Sequence, residues 1–526
     1  MANWGLDLEA AFRFGSAITI ARVRMSSDDH STLAERIAHS LTLAPDAVAV
    51  EYGGATASWG DLARAAFLVE QILCAAGVDP AAPIGWAARN RPPAVAAFVA
   101  LIANGRMVVP LRPNYAVANF REDILAQRLQ AVIGDPDDWS GDGVVDAARA
   151  AGSLGVEISG PPFTVRAVPG LEAIGPGPHR PPAPGYILER LTSGTTGAPK
   201  RIPVRQDVLI PSLKSGEQRT AGAPERLAPK TSPALLFKPF SHAGGLFGLM
   251  LALYQVRPII LFEKFKVDEW VAAIRKYRPK SASLVPAMIR MLLDAEIDPA
   301  DLSSLLAIRS GTAPLEPELQ DEFETRFGVP ILIDYGAAEF IGGLAGWTIA
   351  DYRAFGRQKR GSVGRARADV AIRTVDPESL TPQSFGETGL VQIKSERYGP
   401  DWIQTNDLAL IDADGFIFLR GRADDAINRG GFKVLPEEVA AVLRQHPAIA
   451  DAAVIGAPDA RLGQVPVAAL ELPPGGARPD SKALDAFLKH RLPAYMVPVE
   501  YRVVDALPRT ASMKVSRPEL KKLLGL

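Results

Sequence analysis

Short apolar runs alternate with longer amphipathic ones through the first part of the chain, and few folds accept that pattern. Residues 47–52, 83–88, 107–111 and 131–134 have the length of strands, whereas 59–76, 94–104 and 117–130 have the length of helices. Apolar strands separated by helix-length segments imply parallel βαβ units whose sheet is buried on both faces. A second alternating set follows: 234–239, a Gly-rich helix start at Ala243-Gly244-Gly245, then 258–262, 267–277, 281–285, 286–295, 305–310, 316–327 and 329–334. Between the two sets, residues 160–185 are rich in Pro and Gly and read as an irregular, exposed connection.

From about Gly361 the texture changes to short strands with turn residues, and Asp414-Gly415 between two apolar runs is a hairpin signal. Past Gly421-Arg422-Ala423-Asp424-Asp425 a tail mixes helices (436–445, 481–491) with strands (452–456, 467–471, 501–505), enough for a separate small domain. The expected fold class is α/β. A large N-terminal domain, 1–421, holds parallel-sheet βαβ layers plus a small β unit, and a small α+β C-terminal domain, 422–526, follows.

Charge narrows the partners. Lys and Arg total 58 against 59 acids in 526 residues, so no overall charge draws the chain to nucleic acid or anionic lipid. The single cysteine, Cys74, excludes an intrachain disulfide and any multi-cysteine metal site, fits a reducing compartment, and reads as a small buried apolar residue. No apolar run reaches membrane-spanning length, and the stretch 12–25 is broken by Arg13, Arg22 and Arg24 without a convincing cleavage site. The expected location is cytoplasmic, without integral membrane association.

The chemistry concentrates at Thr192-Ser193-Gly194-Thr195-Thr196-Gly197-Ala198-Pro199-Lys200. Two glycines and four hydroxyl residues offer close backbone approach and exposed donors to phosphate oxygens, and Lys200 adds a point charge. The spacing is not that of the common P-loop, which places a helix after its lysine. Here Ile202-Pro203-Val204 reads as a second strand, so the stretch is expected to be a hairpin tip closing over phosphates. Taken alone, it is also what an ordinary Gly/Thr turn looks like.

Five further motifs follow it in order: Tyr335-Gly336-Ala337-Ala338-Glu339, Thr405-Asn406-Asp407, Gly421 to Asp425, Gly430-Gly431-Phe432-Lys433, and Pro508 to Lys514. In that combination the chain resembles the adenylate-forming superfamily of acyl-CoA and aryl-CoA synthetases, peptide-synthetase adenylation domains and beetle luciferases. It is most similar to the acid:CoA ligases. The resemblance covers nearly the whole chain. It implies that a carboxylate attacks the α-phosphate of ATP, that pyrophosphate leaves, and that a thiol, commonly that of coenzyme A, captures the acyl-adenylate.

Residue by residue, the resemblance implies the following. Thr192, Ser193, Gly194, Thr195, Thr196, Gly197 and Lys200 hold the triphosphate, and Glu339 with Thr192 holds Mg²⁺. Gly311, Thr312, Ala313, Pro314, Asp334, Tyr335, Gly336 and Ala338 cradle the nucleotide, with Tyr335 offering a face to the base. Asp407 and Arg422 reach the ribose. Lys514 and Glu339 are the catalytic residues, Lys514 by reaching the α-phosphate and the carboxylate. Asp424 is the hinge about which a mobile C-terminal domain swings, and Gly430, Gly431 and Lys433 then line the path of coenzyme A. His242, Ser310, Gly336 and Ala337 fall in the acid pocket. Without the resemblance, Glu339 and Lys514 are ordinary solvated charges and His242 is equally a packed wall residue.

Four positions depart from the family pattern: Ala338 stands for a threonine, and Met513, Asn406 and Arg201 for glycines. The 241–245 stretch holds no carboxylate to pair with an amino acid's ammonium, which points to a neutral-tailed acid: aryl, alicyclic or medium to long chain. The expected partners are that small-molecule acid and coenzyme A. A carrier protein as acceptor, a homodimer, and a nucleotide-binding module without turnover stay open.

Overall fold

The computed structural model describes residues 32–113, 117–191, 200–218, 227–337, 340–510 and 513–526. The described residues form two compact units, one within 32–279 and the other within 280–526.

The first unit contains a seven-stranded sheet in the order Thr164–Ala167, Leu154–Ser159, Ala131–Gly134, Ile84–Ala87, Val108–Leu111, Tyr186–Leu191, Arg201–Arg205. The inner five strands run parallel and the two edge strands antiparallel. Ile84–Ala87, Val108–Leu111 and Ala131–Gly134 are buried along their whole length, as apolar strands covered on both faces must be. The helix Pro92–Ala103 is apolar all round and every residue of it is buried, so it serves as core rather than as a surface layer. Trp59–Ala75 opens with a reciprocal cap, Ser58 accepting from the Asp61 amide and Asp61 from that of Ser58. A second, four-stranded sheet joins Ala234–Leu236, Ile259–Leu261 and Val48–Tyr52 in parallel, with Ala55–Ser58 antiparallel at its edge.

Among the described residues the second unit holds three sheets. Ser281–Leu284, Ala307–Ser310 and Ile331–Tyr335 are parallel. Ala371–Val375, Thr388–Ser395, Gly399–Ile411 and Ile417–Arg422 form an antiparallel meander. The Asp-Gly hairpin forms as expected, with the Asp412 carboxylate accepting from the amides of Asp414 and Phe416. The last sheet is built on the Asp451–Asp459/Gly463–Glu471 hairpin, and the helices Pro436–Arg444 and Ser481–Lys489 add Val439, Leu443, Leu484 and Leu488 to its core.

The second alternating set supplies two sheets: 234–261 pairs with Val48–Tyr52 in the first unit, and 281–335 builds its own sheet in the second. Two readings need correction. Residues 160–185 are not irregular throughout, because Thr164–Ala167 pairs with Leu154–Ser159 and Val168 and Leu171 are buried. Cys74 is exposed rather than buried, and its thiol donates to Glu70 Oε1 at 3.2 Å.

Arg201, where the family pattern has glycine, is part of this framework. Its guanidinium donates to the Pro110 carbonyl at 2.9 Å and lies 3.4 Å from Asp123 and 3.6 Å from the buried Glu189. Both carboxylates keep another arginine, Arg112 and Arg180 respectively. Arg201→Ala is therefore expected to destabilise the fold by about 2 kcal/mol, less than the loss of a sole buried partner. An unchanged urea midpoint would show that Arg201 is incidental.

Candidate active site

Ala307–Ser310 and Ile331–Tyr335 lie side by side in parallel, so the loops leaving them emerge at one sheet edge, where open α/β sheets collect ligands. The approach is close: a Cβ on Gly311 would stand 2.8 Å from the Asp334 carbonyl, and one on Gly346 2.4 Å from the Asp334 carboxylate. Thr312 takes φ +74°, a left-handed conformation that a β-branched residue adopts only under constraint. Ser310 is 1% exposed and its Oγ has no hydrogen-bond partner among the described residues. A buried hydroxyl of that kind calls for a water or a ligand group. The Asp334 carboxylate sits between Arg309 at 3.2 Å and Arg367 at 3.3 Å, which fixes the strand end.

Tyr335, itself buried, donates its hydroxyl to Asp407 Oδ2 at 2.5 Å. Antiparallel pairing sets Asp407 opposite Arg422, and Arg422 Nη1 stands 3.9 Å from Asp407 Oδ1. The rest of the Arg422 fork holds Asp424 through two 2.9 Å bonds, while Asn406 Nδ2 donates to Asp424 at 3.2 Å. The bidentate bond keeps the Arg422 pKa above and the Asp424 pKa below the ordinary values. Asp425 in turn pairs with Arg517. The proposed ribose residues and the proposed hinge thus share one network. Asn406, a departure from the family pattern, is a member of it.

Lys514 arrives on a tight turn closed by Thr510 and Met513, in which the Thr510 amide donates to the Lys514 carbonyl at 2.7 Å and the Met513 amide to the Thr510 carbonyl at 2.8 Å. The half-buried amine has its pKa pushed down by burial and pulled partly back by the charge of Asp407. Met513 has φ +65°, which explains why glycine suits this position in the family: a Cβ in the left-handed region costs about 1–2 kcal/mol. The tip of a second turn, Gly430-Gly431, joins Ile427–Arg429 to Phe432–Val434 with both glycines at positive φ, the geometry two-residue hairpins favour. Lys433 beside it is exposed.

In the first unit, His242 caps the helix Ala243–Tyr254 without a side-chain cap bond. A Cβ at Gly245 would stand 2.2 Å from the Pro239 carbonyl, so the helix start packs directly on the connection that leaves the strand Ala234–Leu236. Tyr186–Leu191 and Arg201–Arg205 pair antiparallel, as the hairpin reading requires. Thr192, Ser193, Gly194, Thr195, Thr196, Gly197, Ala338 and Glu339 lie outside the described residues; Lys200 is exposed.

A family model described as AMP-binding enzyme matches residues 37–398, well over half of the chain, and one described as AMP-binding enzyme C-terminal domain matches 438–514. The chain belongs to the AMP-binding enzyme family. Among the relatives of this AMP-binding enzyme, the indoleacetate–CoA ligase of Aromatoleum aromaticum is 29% identical over 94% of this chain and 98% of that one. The feruloyl-CoA synthase of an Amycolatopsis species is 27% identical over 92% and 97%. The 4-coumarate–CoA ligase-like 9 of Oryza sativa subsp. japonica is 31% identical, but over 63% of this chain and 62% of its own length. The fold is that of ATP-bound MatB from Rhodopseudomonas palustris, with TM-score 0.78 at 23% identity over 93% of this chain and 98% of that one. The large α/β part and the smaller C-terminal part expected from sequence are those of an AMP-binding enzyme.

The sequence motifs named most of the residues that meet here, but not how they meet. The Tyr335–Asp407 bond, the bond from Asn406 to Asp424 and the Arg517–Asp425 pair had no local signal.

Proposed function

We propose that this AMP-binding enzyme is an ATP-dependent carboxylic acid:CoA ligase whose acid has a hydrophobic aryl, alicyclic or medium to long-chain tail. The observation that carries the reading is the convergence of Lys514, Asp407, Arg422 and Tyr335 within one unit. In the reaction a carboxylate oxygen bonds to the α-phosphorus as the bond to pyrophosphate breaks, and the thiol sulfur of coenzyme A then bonds to the acyl carbon as AMP leaves.

The chain's part is positioning and electrostatics, which phosphoryl transfer chiefly needs. Asp407 and Arg422 orient the sugar, Gly311 to Pro314 and Tyr335 bound the base, and Lys514 neutralises negative charge between carboxylate and phosphate. The Mg²⁺ role rests on Glu339 and Thr192. Asp424 serves as the hinge that lets residues 422–526 replace Lys514 with the Gly430-Gly431 turn, whose missing side chains leave room for a narrow thiol arm. His242, Ser310, Gly336 and Ala337 belong to the acid pocket in this reading, and the carboxylate-free 241–245 stretch supports a neutral tail. Long indoleacetate and feruloyl relatives support an aryl acid.

Pyrophosphate release across aryl, alicyclic, straight-chain and amino acids, with and without coenzyme A, tests this. The expected result is release with a hydrophobic acid and the matching thioester. Release without a thioester moves the acceptor to a carrier protein, and silence with ATP still bound leaves a binding module.

A further inference from the structure

We propose that Arg444 is a positioning residue for Lys514, acting through a relay of charges that docks the lysine-bearing turn against the helix that follows residues 310–314. The inference rests on the ligase reading only for the chemical role of Lys514.

Arg444 ends the helix Pro436–Arg444. Its Nη1 donates to Glu316 Oε1 at 2.8 Å and to Glu437 Oε1 at 3.0 Å, and its Nε stands 3.5 Å from Asp451 Oδ1. The other oxygen of Asp451 accepts from Arg509 Nη2 at 2.5 Å. Arg509 then donates through Nη1 to the carbonyl of Met513 at 3.3 Å, one residue before Lys514. Glu316 is the N-cap of the helix Pro317–Phe327, two residues past Pro314. Glu316 thus lies before the boundary expected from sequence at 421, and every other member of the relay lies after it, all of them within the second unit.

The members are partly sheltered, with side-chain exposures from 18% to 25% for Arg444, Glu316, Asp451 and Arg509. Pairs in that setting add little net stability over an apolar replacement but fix geometry strongly. Their placement suits alignment of the C-terminal turn against the segment that follows residues 310–314. The left-handed backbone at Met513 turns its carbonyl toward Arg509, so the conformation of that residue and the relay belong together. Without the Glu316–Arg444 pair, the turn keeps its own hydrogen bonds but loses its register with Asp407.

Glu316→Gln tests this most cleanly, since Arg444 keeps Glu437 and Asp451 and the fold is retained. Arg444→Met is the second variant. The first readout is independent of any acid: labelling of Lys514 by an amine-acetylating reagent, followed by peptide mass spectrometry with exposed Lys276 and Lys482 as references. Severalfold faster labelling of Lys514 alone is expected in Glu316→Gln. The second readout separates the half-reactions. Acid-dependent pyrophosphate exchange is expected to fall about 10²-fold, the scale of a small misplacement of a reacting group, while thioester formation from preformed acyl-adenylate and coenzyme A keeps the parent rate. Unchanged Lys514 labelling in Glu316→Gln, or equal losses in both half-reactions, overturns the relay. Faster labelling in a protein whose parent releases no pyrophosphate with any acid keeps the relay and removes the ligase reading instead.

Discussion

Alanine at position 514 is expected to cut acid-dependent pyrophosphate release by about 10²–10³-fold, the scale of a removed oxyanion donor, while ATP still binds. Lys514 is the cation brought to Asp407 and Arg422 by the 510–514 turn, and its pKa already feels both charges. Its protonation gives the prediction a pH signature. Burial is the largest influence and holds the folded pKa below the ordinary 10.5. As pH rises through that value the ammonium becomes neutral and adenylation falls, and as pH drops below it the charge is fully restored. The alkaline limb of adenylation should therefore lie below 10.5 in the parent and be absent from the residual activity of Lys514→Ala. Unchanged adenylation in the variant would remove Lys514 from the chemistry.

Asp407→Ala is the second large effect. Two charge-assisted hydrogen bonds to a ribose, at about 1.5 kcal/mol or more apiece, amount to roughly 10²-fold in ATP affinity. The substitution also removes the carboxylate to which the Tyr335 hydroxyl donates and leaves Arg422 to Asp424 and Asp425. Calorimetric ATP binding equal to the parent would contradict the ribose assignment. Because Asp407 pulls the Lys514 pKa upward, its loss should also move the alkaline limb to lower pH.

What was legible in the sequence was periodic or local. Apolar strands of four residues between helix-length segments announce a buried parallel sheet, and Asp414-Gly415 announces its hairpin through turn chemistry alone. Cys74 misled because composition says nothing about which face of Trp59–Ala75 a residue occupies; its neighbour Leu73 took the core and left the thiol outside. Thr164–Ala167 was hidden by flanking Pro and Gly, which edge strands accept. The site residues were visible as separate motifs. Their connections run between positions as far apart as Tyr335 and Asp407 or Glu316 and Arg444, and no local pattern encodes such pairs. The departures at Arg201, Asn406 and Met513 became intelligible only once their partners and backbone angles were in view.

The left-handed backbone at Thr312 and Met513 has a bearing on robustness. Both positions hold side chains where glycine relaxes most readily, at about 1–2 kcal/mol each. A molecule selected for heat resistance alone has no reason to keep a β-branched residue and a methionine there. Their presence beside the proposed reaction centre puts part of this protein's thermal tolerance in the same few residues as its work, so hardening the fold and preserving turnover are competing demands on the same backbone.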